Sequence, residues 1–340
     1  MPLSNANKTR RRNSDSLIRK LLKIVMVSFL TLLLLEIVLR LWGIQPQPHL
    51  SEEDVKSFAE PFKGYFCSSD PIGIAPCPSQ TRTLYQAGKI RYEATHLADG
   101  SRYCGYRYPA DSSSRPIILL TGDSHIHGDG VDDANQVGYL LQSALPDYHV
   151  INSAIPGSSN VSQLLVLKEA LQTYTPQIVI AAYGSYHNHR NICGRVFKKQ
   201  LLVPEERIDD FKFPYMTYEN GVFEQGLTTS DYSPFPLSNY LSICEFINVV
   251  LERHEYRDKG GDGVTLEIWR QYIHLCAERG LKLCVVILTE DPTTEVVVRY
   301  LIDNGVEVLR TQISDSLTLM PIDMHLNEKG HRYLQTKLIS

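Results

Sequence analysis

The chain has 340 residues, of which 43% are hydrophobic, and a formal net charge of −4 from 34 Lys and Arg against 38 Asp and Glu. This length accommodates one large domain with an appendage, or two small domains. The lack of an overall basic excess argues against nucleic acid as a partner.

The N-terminus nevertheless carries a strong local positive charge. Seven basic residues precede position 24 against the single acid Asp15: Lys8, Arg10, Arg11, Arg12, Arg19, Lys20 and Lys23. The apolar stretch from Leu21 to Ile44 has 24 residues and would form a helix of about 36 Å, enough to cross a hydrocarbon core. It predicts a transmembrane helix over residues 21–43. Glu36 and Arg40 lie four residues apart and can pair in such a helix.

This anchor sets the expected domain organisation and location. No A-x-A-like cleavage site follows the apolar stretch, and Trp42 suits the far interface, so an anchor is favoured over a cleaved signal peptide. Residues 1–20 are predicted to form a basic cytoplasmic tail, and residues 44–115 a linker and N-terminal extension. Residues from about 45 onward are then expected outside the cytoplasm, in the periplasm or an equivalent compartment.

The seven cysteines are compatible with an oxidising compartment. Cys67 and Cys77 flank a proline-containing loop, and we predict that they can close a short disulfide. None of the cysteines has the paired C-x-x-C spacing of a zinc site.

From residue 116 the pattern becomes regular. Apolar runs rich in Val and Ile, typical of strands buried on both faces, occupy residues 116–122, 149–155, 177–183, 282–290 and 306–312. Amphipathic, helix-like stretches lie between or after them at 136–145, 161–174, 264–279, 292–303 and 327–339. This alternation predicts a parallel α/β sheet over residues 116–340, interrupted by an insertion at about 185–262 that lacks a clear period.

Four polar segments are expected at the carboxyl edge of this sheet, where α/β proteins place their chemistry. Gly122-Asp123-Ser124 follows the first strand, and a turn ending in Gly157 follows the second. Residues 183–191 follow the third strand, and Asp323-Met324-His325 precedes the last helix. A serine followed much later by Asp and His is one way to assemble a Ser-His-Asp constellation.

The order and spacing of these segments resemble the SGNH/GDSL hydrolase superfamily. The resemblance covers roughly residues 116–340 and is strongest in LLTGDSHIHGDGV, VINSAIPG and DMHLNEKGH. It implies a flavodoxin-like three-layer α/β/α fold with a parallel sheet, here preceded by a single N-terminal transmembrane helix.

The resemblance also implies a role for each site residue. Ser124 would be the nucleophile, His325 the base that accepts its proton, and Asp323 the group that orients the imidazole. The backbone amides of Ser124 and Gly157, with an asparagine side chain, would form the oxyanion hole.

Two departures from the family pattern affect these assignments. The third family segment usually reads Gly-x-Asn-Asp, whereas Gly184 is followed here by Ser-Tyr-His-Asn-His-Arg-Asn. The oxyanion-hole asparagine is therefore expected at Asn188, with Asn191 as the alternative. Asp323 lies two residues before His325 rather than the more frequent three, which requires a loop that turns both side chains inward.

Each of these residues also has an ordinary structural interpretation. Ser124 could cap a helix, as serines after strands often do, and Asp323 and His325 could be surface residues of a polar turn. The histidines near the proposed site are expected to line its rim: His125, His127, His187 and His189.

Taken together, these patterns predict a membrane-anchored serine esterase that hydrolyses or transfers small acyl groups, such as acetyl, on carbohydrate or other esters. Its expected partners are an acylated small molecule or glycan and a membrane, with no metal and no cofactor. One alternative is a metal-dependent phosphoesterase that uses the Asp-x-His of residues 123–125. The other is a catalytically silent scaffold or binding module of the cell envelope.

Overall fold

The computed structural model describes residues 5–46, 64–106, 115–201 and 212–340, with side chains from residue 18 onward. The helices in these ranges are α1 (Asn5–Leu41), α2 (Ser124–His127), α3 (Val137–Ala144), α4 (Asn160–Thr173), α5 (His187–Asn191), α6 (Arg195–Lys198), α7 (Ser242–Asp258), α8 (Gly261–Glu278), α9 (Pro292–Asp303) and α10 (Glu328–Ile339). The strands are β1 (Phe66–Ser69), β2 (Gly73–Pro76), β3 (Gln80–Gln86), β4 (Ile90–His96), β5 (Ile117–Leu120), β6 (His149–Asn152), β7 (Pro176–Tyr183), β8 (Lys212–Glu219), β9 (Val222–Thr229), β10 (Lys282–Ile287) and β11 (Glu307–Arg310).

The chain divides into two compact units. One comprises residues 1–49 and 233–253, and the other comprises residues 50–232 and 254–340. The stretch predicted as a single insertion at 185–262 is therefore shared between the units. It contains α5, α6, the β8–β9 hairpin and α7, which its irregular sequence did not predict.

In the first unit, α1 contains a candidate membrane span. The segment Ile18–Leu41 has 24 residues and a mean hydropathy of 2.4 over its most apolar stretch. Only 6% of that stretch is buried inside the protein. The helix ends at Leu41, two residues before the predicted boundary, and Gly43 follows it with a φ of +84°. By length and composition this segment is long and apolar enough to cross a membrane.

The second unit is built on a parallel sheet, as predicted. Its strand order is β11-β10-β7-β5-β6 in the described part of the chain, and each neighbouring pair is parallel. Counted along the chain this order is 2-1-3-4-5, the flavodoxin-like arrangement. The five predicted strands and the five helices that follow them are all present, with ends that differ from the prediction by a few residues.

Alternate residues of each central strand point to opposite faces of the sheet and pack into two separate cores. One core packs Leu119, Val179 and Val285 against α4, α8 and α9. The other packs Leu120 and Ile180, on the opposite face of the sheet, against α3 and α10. Two apolar faces explain why the strand sequences are continuously hydrophobic rather than alternating. The three-layer α/β/α prediction is confirmed.

The N-terminal extension forms two small hairpins. Strands β1 and β2 pair, and the predicted Cys67–Cys77 disulfide joins them. Strands β3 and β4 form the second hairpin, whose turn begins after Gln86 at the end of β3. Between the hairpins and the sheet, the buried guanidinium of Arg102 donates to the backbone carbonyls of His127, Gly128 and Val131. Arg102 thereby holds the loop that follows Ser124, because each buried carbonyl needs a donor.

Candidate active site

Ser124 begins a one-turn helix directly beyond the end of strand β5. The helix cap is Asp123, whose Oδ1 accepts from the His125 N–H at 3.1 Å. A β-carbon at Gly122 would lie 2.5 Å from Ile126 Cγ1, so the turn from strand to helix requires glycine at that position. Ser124 is thus not the helix cap, and its hydroxyl is left available for another interaction.

The serine hydroxyl is paired with the remote histidine. Ser124 Oγ lies 2.7 Å from His325 Nε2, across 201 positions of sequence. The other imidazole nitrogen, Nδ1, forms a short hydrogen bond with Asp323 Oδ1, and the backbone N–H of His325 donates to the same oxygen at 2.7 Å. The two-residue spacing therefore turns both side chains inward, and the three predicted residues Ser124, His325 and Asp323 form one connected chain.

The carboxylate determines which imidazole nitrogen carries the proton. The Asp323 carboxylate accepts a hydrogen bond from Nδ1, so neutral His325 carries its proton at Nδ1 and presents the Nε2 lone pair to Ser124. Burial alone would lower the pKa of His325, but the hydrogen bond that it donates to Asp323 and the negative charges of Asp129, Asp323 and Asp123 raise it above the ordinary value. This is the tautomer and the basicity that proton transfer from a serine requires.

Gln86, from the N-terminal extension, is a further member of the site. Its Nε2 donates to Asp323 Oδ2 at 2.9 Å, while Oδ1 of the same carboxylate binds His325. The same nitrogen approaches His325 Nδ1 to 3.0 Å. Because Nδ1 already gives its proton to Asp323, we interpret this second approach as packing between two donors. Gln86 is therefore a positioning residue for the carboxylate, and no motif in the sequence indicated it.

Replacing Gln86 by alanine is expected to lower kcat/KM of ester hydrolysis about tenfold, because a hydrogen bond to a charged group contributes about 1.5–3 kcal/mol. Gln86→Glu should additionally move the acid limb of the pH–rate profile to higher pH, since a second carboxylate favours the imidazolium. Thr83→Ala, on the exposed side of the same strand, is the matched control. Unchanged kinetics in both Gln86 variants would contradict the positioning role.

Two backbone donors lie free at the predicted oxyanion hole. Neither the Ser124 N–H nor the Gly157 N–H has a hydrogen-bond acceptor among the described residues. Gly157 has a φ of +73°, and a β-carbon there would meet no atom within 4 Å. The requirement for glycine is thus one of backbone conformation and not of space.

The predicted asparagine donor is not found in this arrangement, and we correct it. Both amide hydrogens of Asn191 are used, by Asn160 Oδ1 and Thr265 Oγ1. Asn188 is buried, donates to Asp262 and accepts from Tyr183 and Thr265. Both side chains therefore stabilise the packing of the third segment on α8, because buried amides must satisfy their own hydrogen-bonding groups.

The third segment instead surrounds Asp123. Tyr186 stands where the family pattern has asparagine, and its hydroxyl donates to Asp123 Oδ2 at 2.7 Å. Arg190 Nη1 lies 3.3 Å and His187 Nε2 3.4 Å from the same oxygen. Burial would raise the pKa of Asp123, but the hydrogen bond from His187 and the positive charge of Arg190 hold it well below its ordinary value. Asp123 is therefore a buried anion that ties the serine turn to the third segment.

The histidines near the site are placed differently from the expectation that they line a rim. His127 and His187 are fully buried, so that expectation is wrong for both of them. His127 Nδ1 pairs with Asp129, and His187 Nδ1 accepts from the Gly184 N–H. His125 stacks on the His325 ring at 5.0 Å between ring centroids. Its pKa is lowered to about 4, chiefly by burial, so it packs against the base as a neutral ring.

The alternative interpretation, a metal site at the Asp-x-His of residues 123–125, requires Asp123 to be available as a ligand. The Asp123 carboxylate is occupied by Tyr186, Arg190 and His187. Within residues 5–46, 64–106, 115–201 and 212–340, no group of three or more His, Cys, Asp or Glu side chains is arranged to hold a metal ion. The Asp-x-His of residues 123–125 thus serves the serine turn and the packing of His325.

No family model matches the sequence, and a search of curated proteins gave no match. Solved structures similar to this chain include TesA (13% identity, TM-score 0.39), the psychrotrophic esterase EstA from Pseudoalteromonas sp. (12%, 0.39) and the acetyl xylan esterase AlAXEase (12%, 0.36). Each alignment covers 66% of this chain and, in the same order, 96%, 94% and 98% of the other.

Proposed function

We propose that this chain is a serine esterase of the SGNH/GDSL type, in which Ser124 takes an acyl group from an ester. The single observation that carries the proposal is the continuous chain from Ser124 Oγ through His325 to Asp323, with 2.7 Å between Oγ and Nε2. A serine hydroxyl is a weak nucleophile at neutral pH, and a base at this distance is what activates it. Its position at the carboxyl edge of a parallel sheet supports the same interpretation.

The proposed reaction has two halves. His325 Nε2 removes the hydroxyl proton as Ser124 Oγ attacks the ester carbonyl carbon, and the resulting oxyanion is stabilised by the N–H groups of Ser124 and Gly157. The C–O bond to the alcohol breaks, and the alcohol leaves with the proton from His325. A water molecule or a second alcohol then attacks the acyl-serine and gives its proton to His325. The bond between the acyl carbon and Ser124 Oγ breaks, Ser124 Oγ takes the proton back from His325, and the acid or a new ester is released.

The acyl group is proposed to be small, such as acetyl on a carbohydrate or another ester. Ser124 is only 6% exposed, so a small acyl group reaches its hydroxyl more easily than a bulky one. A catalytic domain that a membrane anchor holds outside the cytoplasm would meet carbohydrate esters of the cell envelope, and this supports a carbohydrate substrate. Transfer to a second alcohol and hydrolysis use the same groups and differ only in which hydroxyl enters the second half.

We also propose that the enzyme is anchored in a membrane by α1, with the basic N-terminus in the cytoplasm. The length and hydropathy of Ile18–Leu41 support the span. The seven basic residues before position 24 support the orientation, since positively charged flanks stay on the cytoplasmic side.

The experiment that tests the activity uses the full chain in detergent. We expect turnover of p-nitrophenyl acetate and release of acetate from acetylated glycans, both insensitive to EDTA, together with covalent labelling by a fluorophosphonate. Hydrolysis of p-nitrophenyl phosphate that EDTA abolishes would favour the phosphoesterase instead. A folded protein that neither turns over esters nor reacts with the fluorophosphonate would contradict the proposal and favour a scaffold.

A further inference from the structure

An acidic side chain inside the candidate membrane span binds a segment from the middle of the chain. Glu36 accepts from the backbone N–H groups of Ser242 and Ile243 at 2.9 and 3.1 Å, and from Arg40 Nε at 2.7 Å. Arg40 also donates to the Tyr240 carbonyl at 3.2 Å. All of these residues belong to the same compact unit. The start of helix α7 is therefore held at the level of Glu36.

That level lies within the bilayer if α1 spans it. A span of 24 residues is centred between Phe29 and Leu30, and Glu36 is then about 10 Å from its midpoint at roughly 1.5 Å per residue. The hydrocarbon half-thickness is about 15 Å. Backbone groups that bond Glu36 therefore sit about 5 Å inside the hydrocarbon boundary, where water is scarce.

The first part of helix α7, up to Leu251, has the polarity of a helix in contact with lipid rather than water, whereas its last turns expose the charged residues Arg253, Arg257 and Asp258. Its buried side carries Ser242, Glu245 and Asn248. The Glu245 and Asn248 side chains are hydrogen-bonded within the unit, since Asn248 donates to Glu245 and accepts from the Phe235 N–H. A helix on a water-exposed surface has the opposite arrangement, with its apolar stripe inside.

The other side of this segment presents large apolar side chains to the outside. Residues exposed to between 38% and 65% are Leu237, Tyr240, Leu241, Phe246, Val250 and Leu251. On α7 the spacing of Ile243, Phe246, Ile247 and Val250 is that of one helical face. A contiguous exposed apolar face of this kind indicates an interaction surface.

We propose that residues 237–251 lie in the membrane boundary at which α1 ends, with the apolar face of α7 against lipid acyl chains. Glu36 and Arg40 hold the segment there by capping the first turn of α7 and binding Tyr240. The proposal rests on the membrane span proposed above. It commits to lipid because the Glu36 hydrogen bonds hold the first turn of α7 at a depth inside the proposed hydrocarbon layer, where an exposed apolar face meets acyl chains. Buried polar and exposed apolar groups then each meet a suitable environment.

The test is photolabelling of the full chain reconstituted in phosphatidylcholine–phosphatidylglycerol vesicles that contain a lipid with a diazirine in its acyl chain. Labelled residues are mapped by mass spectrometry. We expect label in Leu21–Leu35 and in Phe246, Val250 and Leu251, at least about fivefold above background for groups at acyl-chain depth. Val296 and Ile302, exposed to 50% and 55% in the other unit, are matched controls that should stay at background.

The outcomes separate this inference from the membrane anchor itself. Label in Leu21–Leu35 with none in residues 237–251 would overturn the inference and leave the anchor standing, with the apolar face covered by a second copy or another protein. Absence of label in both would refute the anchor. A Glu36→Leu variant, which keeps the span apolar, is expected to lose most label from residues 237–251 and none from α1. Equal labelling of that variant would overturn the role of Glu36.

Discussion

Replacing Ser124 by alanine is expected to lower kcat of ester hydrolysis about 100,000-fold and to abolish labelling by a fluorophosphonate. The substitution removes the atom that would form the covalent acyl intermediate, and the remaining groups act only through binding and the oxyanion-hole donors, as in other triad enzymes. The measurement is initial-rate kinetics with p-nitrophenyl acetate, together with mass spectrometry of the labelled chain.

The folded state should survive this change. The Ser124 hydroxyl forms its hydrogen bond in the site with His325, and removing it leaves the packing of the core unchanged. The thermal unfolding midpoint of the variant is therefore expected to match that of the parent closely. Ser143→Ala removes the same hydroxyl from the exposed surface of α3 and is the matched control, with activity unchanged. Near-parental turnover by Ser124→Ala would refute the nucleophilic role.

The second large effect is expected for Asp323→Asn, with a fall in kcat of about 1,000- to 10,000-fold. The asparagine amide can donate to Nδ1, which would place the imidazole proton on Nε2 and leave no lone pair for the serine proton. His325→Ala should be at least as damaging as Asp323→Asn, because it removes the base itself. Burst kinetics distinguish slow acylation from slow deacylation in each variant.

The pH dependence of activity tests independently how the Asp323 carboxylate affects the pKa of His325. The imidazole must be neutral to accept a proton, so activity is lost as pH falls through the pKa of His325, which Asp323 raises above the ordinary value of about 6.5. Without the carboxylate, burial still disfavours the imidazolium, so the acid limb of Asp323→Asn should move to lower pH. Asp315→Asn, on the exposed turn upstream, should leave the limb in place. An acid limb in Asp323→Asn that stays at the parental pH would contradict this coupling.

Much of the fold could be predicted from the sequence because strands and helices each show a hydrophobic pattern among neighbouring residues. Continuous Val- and Ile-rich runs predicted β5, β6, β7, β10 and β11, and amphipathic stretches predicted the helices between them. Right-handed crossovers and short connections then restrict how such units assemble into a sheet. The N-terminal hairpins and the elements of residues 185–262 lack a strong period, and they were not predicted.

Only part of the site could be predicted from the sequence, because only some of its residues lie in local motifs. Ser124, Asp323 and His325 lie in short motifs with characteristic neighbours, and the structure brings them together. Asn188 and Asn191 were chosen by residue type alone, and their amides are used in packing on α8. Gln86 reaches Asp323 from 237 positions away, from a hairpin with no motif to mark it.

By itself, then, the sequence determined the order of strands and helices, the apolar N-terminal span and the identity of the Ser, Asp and His, because periodicity and short motifs are properties of neighbouring residues. Only the tertiary structure decided which groups surround that serine. Tyr186 and Arg190 meet Asp123, Gln86 holds Asp323, and Glu36 caps a helix that begins 206 residues later. Such contacts join residues that are distant in the chain, and they are selected by the burial and hydrogen bonding of the folded molecule.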